Sequence, residues 1–210
     1  PPRSTLFPYT TLFRSAVEDV SRDDDMRVLI ITGSGRAFCS GADLQTLKGG
    51  SDPGSLVSDN PEDIRRGFEH IQRFIMEIHR MEKPVIAMVN GIAAGAGFDI
   101  ACVCDIRVGS PHARFMSAYV RVGLFPGFGG TWLYPRALGS VSKAAELLFT
   151  GDFLESDEAK DLGFLNKLVP PEELESATLE MAQKIAAGPP IAIRLSKLDR
   201  KSTRLNSSHT

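Results

Sequence analysis

The stretch VIAMVNGIAAGAGFDIACVCDIRV, residues 85–108, decides the fold. Pro84 opens it, and the apolar, partly β-branched residues that follow predict a buried strand over residues 84–89. Residues 91–97 are a glycine- and alanine-rich turn. Residues 98–103 predict a short helix, and 105–108 a further strand. The part from Val85 to Cys104 is almost uncharged and about long enough to cross a bilayer. It nevertheless holds Asn90, Asp99 and three glycines. A buried strand, turn and helix of a packed core fits those residues better than a membrane span.

Working outward, MRVLIIT (residues 26–32) reads as another buried strand, closed by Gly33, with a loop over 33–41. Leu44 and Leu47 suggest one helical turn, and 48–60 reads as loop. Asn60-Pro61-Glu62-Asp63 is a helix start, with a capping residue, proline at the first position and acids in the first turn. Ile64, Phe68, Ile71, Ile75 and Ile78 then recur at steps of four and three, which predicts one buried stripe on a helix to about Met81. His70 and His79 fall off that stripe and are expected on a solvated face. Downstream come a strand at 114–116, a glycine-proline loop at 123–130 and helices at about 131–138, 141–149 and 156–162. A short strand at 165–169, an amphipathic helix at 171–187 and a helix starting at 191–198 follow. Strands alternate with helices, so the class is α/β.

The 210 residues carry 24 Lys+Arg against 26 Asp+Glu, a net charge of −2, and no basic run interleaved with aromatics, which excludes a nucleic-acid binder. Cys39, Cys102 and Cys104 are too few for a disulfide framework, and their spacing suits neither a zinc site nor a redox pair. They are expected as small buried apolar residues in a reducing compartment. Residues 1–15 and 201–210 resemble translated sequencing-library adapter and are read as non-native. The natural chain is then expected to extend past both ends.

Several signatures fail. Gly95-Ala96-Gly97 lacks the third glycine of a dinucleotide loop, and no serine elbow, phosphate loop or His-Glu-x-x-His zinc motif is present. No metal ligands stand out. Two strand-to-turn junctions rich in small residues remain, RAFCSGADL (36–44) and VNGIAAGAGFDIA (89–101). Small residues let a ligand approach the backbone. The second junction opens a helix whose first N–H groups lack intrahelical acceptors and whose dipole favours negative charge. Two such N–H groups aimed at one point would form an oxyanion hole; the plainer alternative is that the glycines only permit tight turns.

Taken together, VLIITGSGRAFCSGADL, KPVIAMVNGIAAGAGFDIACVCDIRV, ARF, VGLFPGFGGTWLYPRALG and GFLNKLVPPEEL resemble, in this order, the crotonase (enoyl-CoA hydratase/isomerase) superfamily over about residues 16–199. The resemblance implies a crotonase-like spiral of strand-strand-helix repeats over 16–135, then a helical trimerisation region over 136–200 that is incomplete. It implies an acyl-CoA thioester substrate, coenzyme A as part of that substrate with no separate cofactor, and a homotrimer or hexamer. The backbone N–H groups of Ala42 and Ala96 would hold the thioester oxygen. Arg36, Ala37, Ala42, Asp43, Leu44, Gln45, Ala96 and Gly97 would flank substrate and coenzyme, with Asp43 shaping its loop. Asp99 stands at the first acid–base position and Tyr119 at the second, where hydratases carry two glutamates. Gly127 and Phe128 stand where some isomerases carry acids. Asp105 reads as a buried structural carboxylate that needs partners. Phe98, Phe115, Phe125, Phe128 and Trp132 are candidates for an acyl pocket or for plain core.

The implied activity is hydration of 2-enoyl-CoA thioesters. Double-bond isomerisation, another crotonase reaction such as thioester hydrolysis, and a non-catalytic acyl-CoA-binding role are the alternatives. No nucleic acid and no membrane are expected as partners. The cytoplasm is the expected compartment, with the mitochondrial matrix left open.

Overall fold

The computed structural model describes residues 15–41 and 61–201. A helix α1 over residues 15–22 precedes β1 (Leu29–Thr32) and β2 (Ala37–Cys39), and α2 (Pro61–Arg80) follows. Next come β3 (Val85–Val89), β4 (Ile92–Ala94) and α3 (Ala96–Val103), then β5 (Ile106–Gly109) and β6 (Arg114–Met116). Helices α4 (Gly130–Leu138) and α5 (Val141–Thr150) lead to β7 (Phe153–Glu155), α6 (Ser156–Asp161) and β8 (Lys167–Leu168). Helices α7 (Leu174–Ala186) and α8 (Pro190–Lys201) close the described chain.

Each pass along the chain lays one strand in each of two sheets. One sheet has the order β1-β3-β5-β8 and is parallel throughout, with Leu29 opposite Val85, Ile86 opposite Ile106 and Val108 opposite Lys167. The other has the order β2-β4-β6-β7, parallel except for β7. Because side chains alternate along a strand, the first sheet divides its residues between two cores. Val85, Ala87 and Val89 join Ile31, Phe38, Ala93, Phe98 and Phe115 in the main core. Ile86 and Val108 point the other way, onto Leu174 and Ala182 of α7. A parallel sheet covered on both faces reads as a nearly unbroken apolar run, as residues 85–89 do.

The strands expected at 26–32 and 84–89, the short helix after them and the helix from Pro61 are all present. Ile75 and Ile78 of the stripe are buried, together with Phe74. The side chains of Ile64, Phe68, Ile71 and His70 lie outside the described residues, as do Leu44, Leu47 and the loop over 48–60. His79 departs from expectation: it is half-buried and its ring meets Trp132 edge-on at 5.2 Å.

Three strands went unread in the sequence. The expected loop at 33–41 holds β2, the turn at 91–97 holds β4, and β7 lies between two helices. Each is three residues long, too short for a period to be visible. They exist because the backbone of the second sheet pairs them. Gly33 and Gly91 let that happen: a Cβ on Gly33 would sit 2.0 Å from the Ala37 carbonyl, and one on Gly91 would sit 2.1 Å from that of Arg36. Asn90 ties the two junctions together. Its Oδ1 accepts from Gly33 N at 3.2 Å, and its Nδ2 donates to the carbonyls of Gly35 and Ala37.

Asp105 is the structural carboxylate expected. It accepts from Val85 N at 2.9 Å, pairs with Lys197 at 2.7 Å and receives Arg200. One side chain thereby fixes both the start of β3 and the packing of α8. Among the described residues no helix is long and apolar enough to cross a membrane.

Candidate active site

Asp99 lies in the first turn of α3, where its N–H donates to the Gly95 carbonyl at 3.1 Å. Gly95 caps the helix at φ 53°, in the left-handed region, with no side chain capping it. A Cβ there would meet the Tyr119 ring only at ordinary contact distance, 3.7 Å, so the left-handed backbone is what calls for glycine. Gly97 is constrained by space, since a Cβ would fall 2.1 Å from the Cys39 carbonyl. Strand β2 therefore packs directly on the start of α3.

That packing brings the two junctions together. Gly41, the last described residue before Ala42, has φ 91°, and a Cβ on it would lie 2.8 Å from the Ala94 carbonyl and 3.8 Å from Ala96 N. Ala96 is the first residue of α3, so its N–H has no intrahelical acceptor. Ala42, Asp43, Leu44 and Gln45 themselves lie outside the described residues. Arg36 is exposed and Ala37 opens β2 beside Ile92. Ala96 and Gly97 are buried at the helix start.

The Asp99 side chain is fully buried. The Tyr119 hydroxyl donates to its Oδ2, while Oδ1 has no hydrogen-bond partner. Burial pushes the carboxyl up to about 7, opposed by the Tyr119 hydrogen bond and then by the nearby Tyr134 hydroxyl. The hydroxyl of Tyr134 is itself buried and without a hydrogen-bond partner of proper geometry, yet it lies near enough to Asp99 to favour the charged carboxylate. Burial and the charge of Asp99 hold Tyr119 well above the ordinary tyrosine range. Tyr119 is therefore a donor at neutral pH and not a base. A carboxyl titrating near 7 is suited to both taking and returning a proton.

Gly130 backs this carboxyl. A Cβ there would lie 2.6 Å from Asp99 Oδ1 and 2.9 Å from Tyr134 Cζ. Neither Gly130 nor Tyr134 was singled out in the sequence. A tyrosine in an apolar helix reads as core packing, and the stacking of Tyr134 on Phe98 at 4.3 Å shows that it is core as well.

The candidate acyl-pocket aromatics divide. Phe98 and Phe115 are fully buried against Phe164 and belong to the core. Phe125 is 63% exposed. Phe128 packs on Tyr119 at 6.4 Å and, with Trp132, lines an apolar cavity of about 250 Å³ beside Ile75 and Met76. Among the described residues no group of His, Cys, Asp and Glu converges as a metal site would require.

The family model described as enoyl-CoA hydratase/isomerase matches residues 9–207. A short-chain-enoyl-CoA hydratase from Clostridium acetobutylicum is 37% identical over 182 residues, covering 86% of this chain and 66% of that protein. A 1,2-epoxyphenylacetyl-CoA isomerase from Escherichia coli is 34% identical over 194 residues, covering 92% and 72%. The crystal structure of an enoyl-CoA hydratase/isomerase from Cupriavidus metallidurans superposes with a TM-score of 0.84 at 34% identity, covering 92% of this chain and 69% of that one. The chain thus spans about two thirds of the length of these relatives.

Proposed function

Because this chain belongs to the enoyl-CoA hydratase/isomerase family, we propose that it hydrates 2-enoyl-CoA thioesters, with Asp99 as the acid–base group. The observation that carries this reading is the buried Asp99 carboxyl with one oxygen held by Tyr119 and the other unbonded. The N–H groups of Ala96 and Ala42 take the thioester oxygen as negative charge develops on it. Losing one such donor typically costs about 3–4 kcal/mol of transition-state stabilisation.

In this reaction Asp99 Oδ1 takes a proton from water as the water oxygen bonds to C3. The electron pair of the C2–C3 double bond moves toward the thioester, whose oxygen becomes the oxyanion. Asp99 then returns the proton to C2, the enolate collapses, and the 3-hydroxyacyl thioester is complete. Tyr119 holds Oδ2 throughout and orients Oδ1.

One observation favours double-bond isomerisation as the second reading. The residue facing Asp99 at the second acid position is Tyr119, a donor held well above its ordinary range. A single carboxylate suffices to carry a proton between C2 and C4, whereas hydration also needs a water bound and activated at C3, with Asp99 as the sole carboxylate to do it.

The apolar cavity beside Phe128 and Trp132 suits an acyl chain. Coenzyme A enters as part of the substrate, flanked by Arg36, Ala37 and residues 42–45. Exposed Val141 and Phe149 on α5, and Ile191 and Leu195 on α8, support assembly into a trimer or hexamer through the helical region over 136–200. Three free thiols fit a reducing compartment such as the cytoplasm.

Proton NMR of a medium-chain 2-enoyl-CoA in D₂O, beside an Asp99→Asn control, tests the reading. A 3-hydroxyacyl-CoA absent from the control is the expected result. A migrated double bond, or deuterium exchange without hydration, selects isomerisation. No turnover with a raised melting temperature selects a binding role.

A further inference from the structure

Two buried polar atoms of the site have no hydrogen-bond partner, Asp99 Oδ1 and Tyr134 Oη. A point 2.6 Å from Oδ1 is also 2.9 Å from Tyr134 Cζ, and Gly130 leaves that point empty of side chain. Both residues are 0% exposed. A buried donor and a buried acceptor left unpaired are both destabilising, a penalty that one mutual hydrogen bond removes.

The surroundings leave Tyr134 few other uses. Its ring stacks on Phe98 at 4.3 Å, an interaction that phenylalanine would make as well. Packing explains the ring and does not explain the hydroxyl. A hydroxyl differs from a carboxylate partner in one chemical respect: it can donate to the charged carboxylate and accept from the protonated acid. Tyr119 already occupies Oδ2, so Tyr134 stands at the oxygen that exchanges the proton.

We propose that Tyr134 is a positioning residue for Asp99: its hydroxyl closes on Oδ1, donating to the carboxylate and accepting from the acid, so that both protonation states are held in place. The proposal rests on Asp99 being the acid–base group. Substrate takes the place of Tyr134 at Oδ1 during proton transfer and releases it afterwards. The titratable groups around the pair are Tyr119, Cys102 one turn further along α3 and Cys39 on β2, with Arg107 acting on Cys102. Cys102 is held well above its ordinary range by burial, and Cys39 is raised by burial as well. Asp99 is therefore the group in this cluster that titrates near neutrality.

The test is the pH dependence of kcat/KM for crotonyl-CoA turnover by the full chain and its Tyr134→Phe, Tyr134→Leu and Asp99→Asn variants. ¹³C NMR of the aspartate carboxyls reads the same titration without turnover. The bond donated to the charged carboxylate is stronger than the one accepted from the neutral acid, so removing the hydroxyl moves the acidic limb to higher pH. A displacement of about one pH unit lowers the rate at pH 6 roughly tenfold while leaving the high-pH plateau within about twofold. Phenylalanine and leucine must shift the limb alike, since both lack the hydroxyl and only one keeps the ring. A limb that stays in place in both variants while Asp99→Asn abolishes it overturns the proposal and spares the assignment of Asp99. A limb that survives Asp99→Asn overturns that assignment and the proposal with it.

Discussion

Tyr119 donates its hydroxyl to one oxygen of Asp99, and the other oxygen of that carboxylate meets no donor. The asymmetry sorts the two residues into roles. Under the proposed function Tyr119 serves as a donor, and Asp99 keeps one oxygen to exchange a proton. Both functions depend on burial, which raises the two groups together.

Asp99→Asn removes the proton-carrying oxygen with little change in shape. Turnover of a 2-enoyl-CoA is expected to fall about a hundred- to ten-thousand-fold. The thioester should still raise the melting temperature, because the backbone N–H groups remain. Steady-state kinetics beside thermal shift measurements separate the two effects.

Folding stability carries the mark of the same group. Asp99 keeps its proton in the folded chain up to about pH 7, whereas an unfolded aspartate releases it near pH 4. Between those values the folded chain binds the extra proton, so Asp99 lowers stability as pH rises from 4 to 7. Above that the penalty is constant, at most roughly 4 kcal/mol. The melting-temperature difference between wild type and Asp99→Asn should change sharply in favour of the variant across this window. Parallel melting curves from pH 4.5 to 8 would contradict it.

Tyr119→Phe deletes a hydrogen bond to the charged form of Asp99, a bond of a kind worth about 1.5–3 kcal/mol. The acidic limb of the pH–rate profile should move upward, with substantial activity retained at pH 9. An enzyme in which Tyr119 were the obligatory base would instead lose activity at every pH.

Gly130→Ala puts a Cβ 2.6 Å from Asp99 Oδ1 and 3.0 Å from Pro126 Cβ. Neither neighbour can give way cheaply, one being a buried carboxyl and the other a proline ring. Overpacking of this kind costs about 1–3 kcal/mol, and displacement of the carboxyl should lower kcat at least tenfold. Urea titration and kinetics on the same sample check both figures.

Asp105→Asn removes the carboxylate charge that pairs with the buried Lys197 ammonium at 2.7 Å. Breaking one partner of a buried pair costs about 3–5 kcal/mol. Helix α8 should loosen first, visible as faster amide exchange over Pro190–Lys201 than over β3.

The apolar run at 85–89, the helix start at 60–63 and the ordered junction motifs were legible because each is local: a period, a cap or a glycine-rich spacing. They carry the α/β class, the family and the candidacy of Asp99, Tyr119 and Ala96 in the sequence itself. Tertiary structure alone decided the rest. Strands β2, β4 and β7 are made by their neighbours and carry no period of their own. The pairing of Tyr119 with Asp99 joins residues 20 positions apart, and Tyr134 reaches the same carboxyl from a third element. Whether Phe98 or Phe128 faces a cavity depends on how α2 and α4 pack, which no residue spacing records. A sequence states which chemical groups a chain owns; burial, and with it the proton affinity of Asp99, is a property of everything that surrounds the group once the chain has folded.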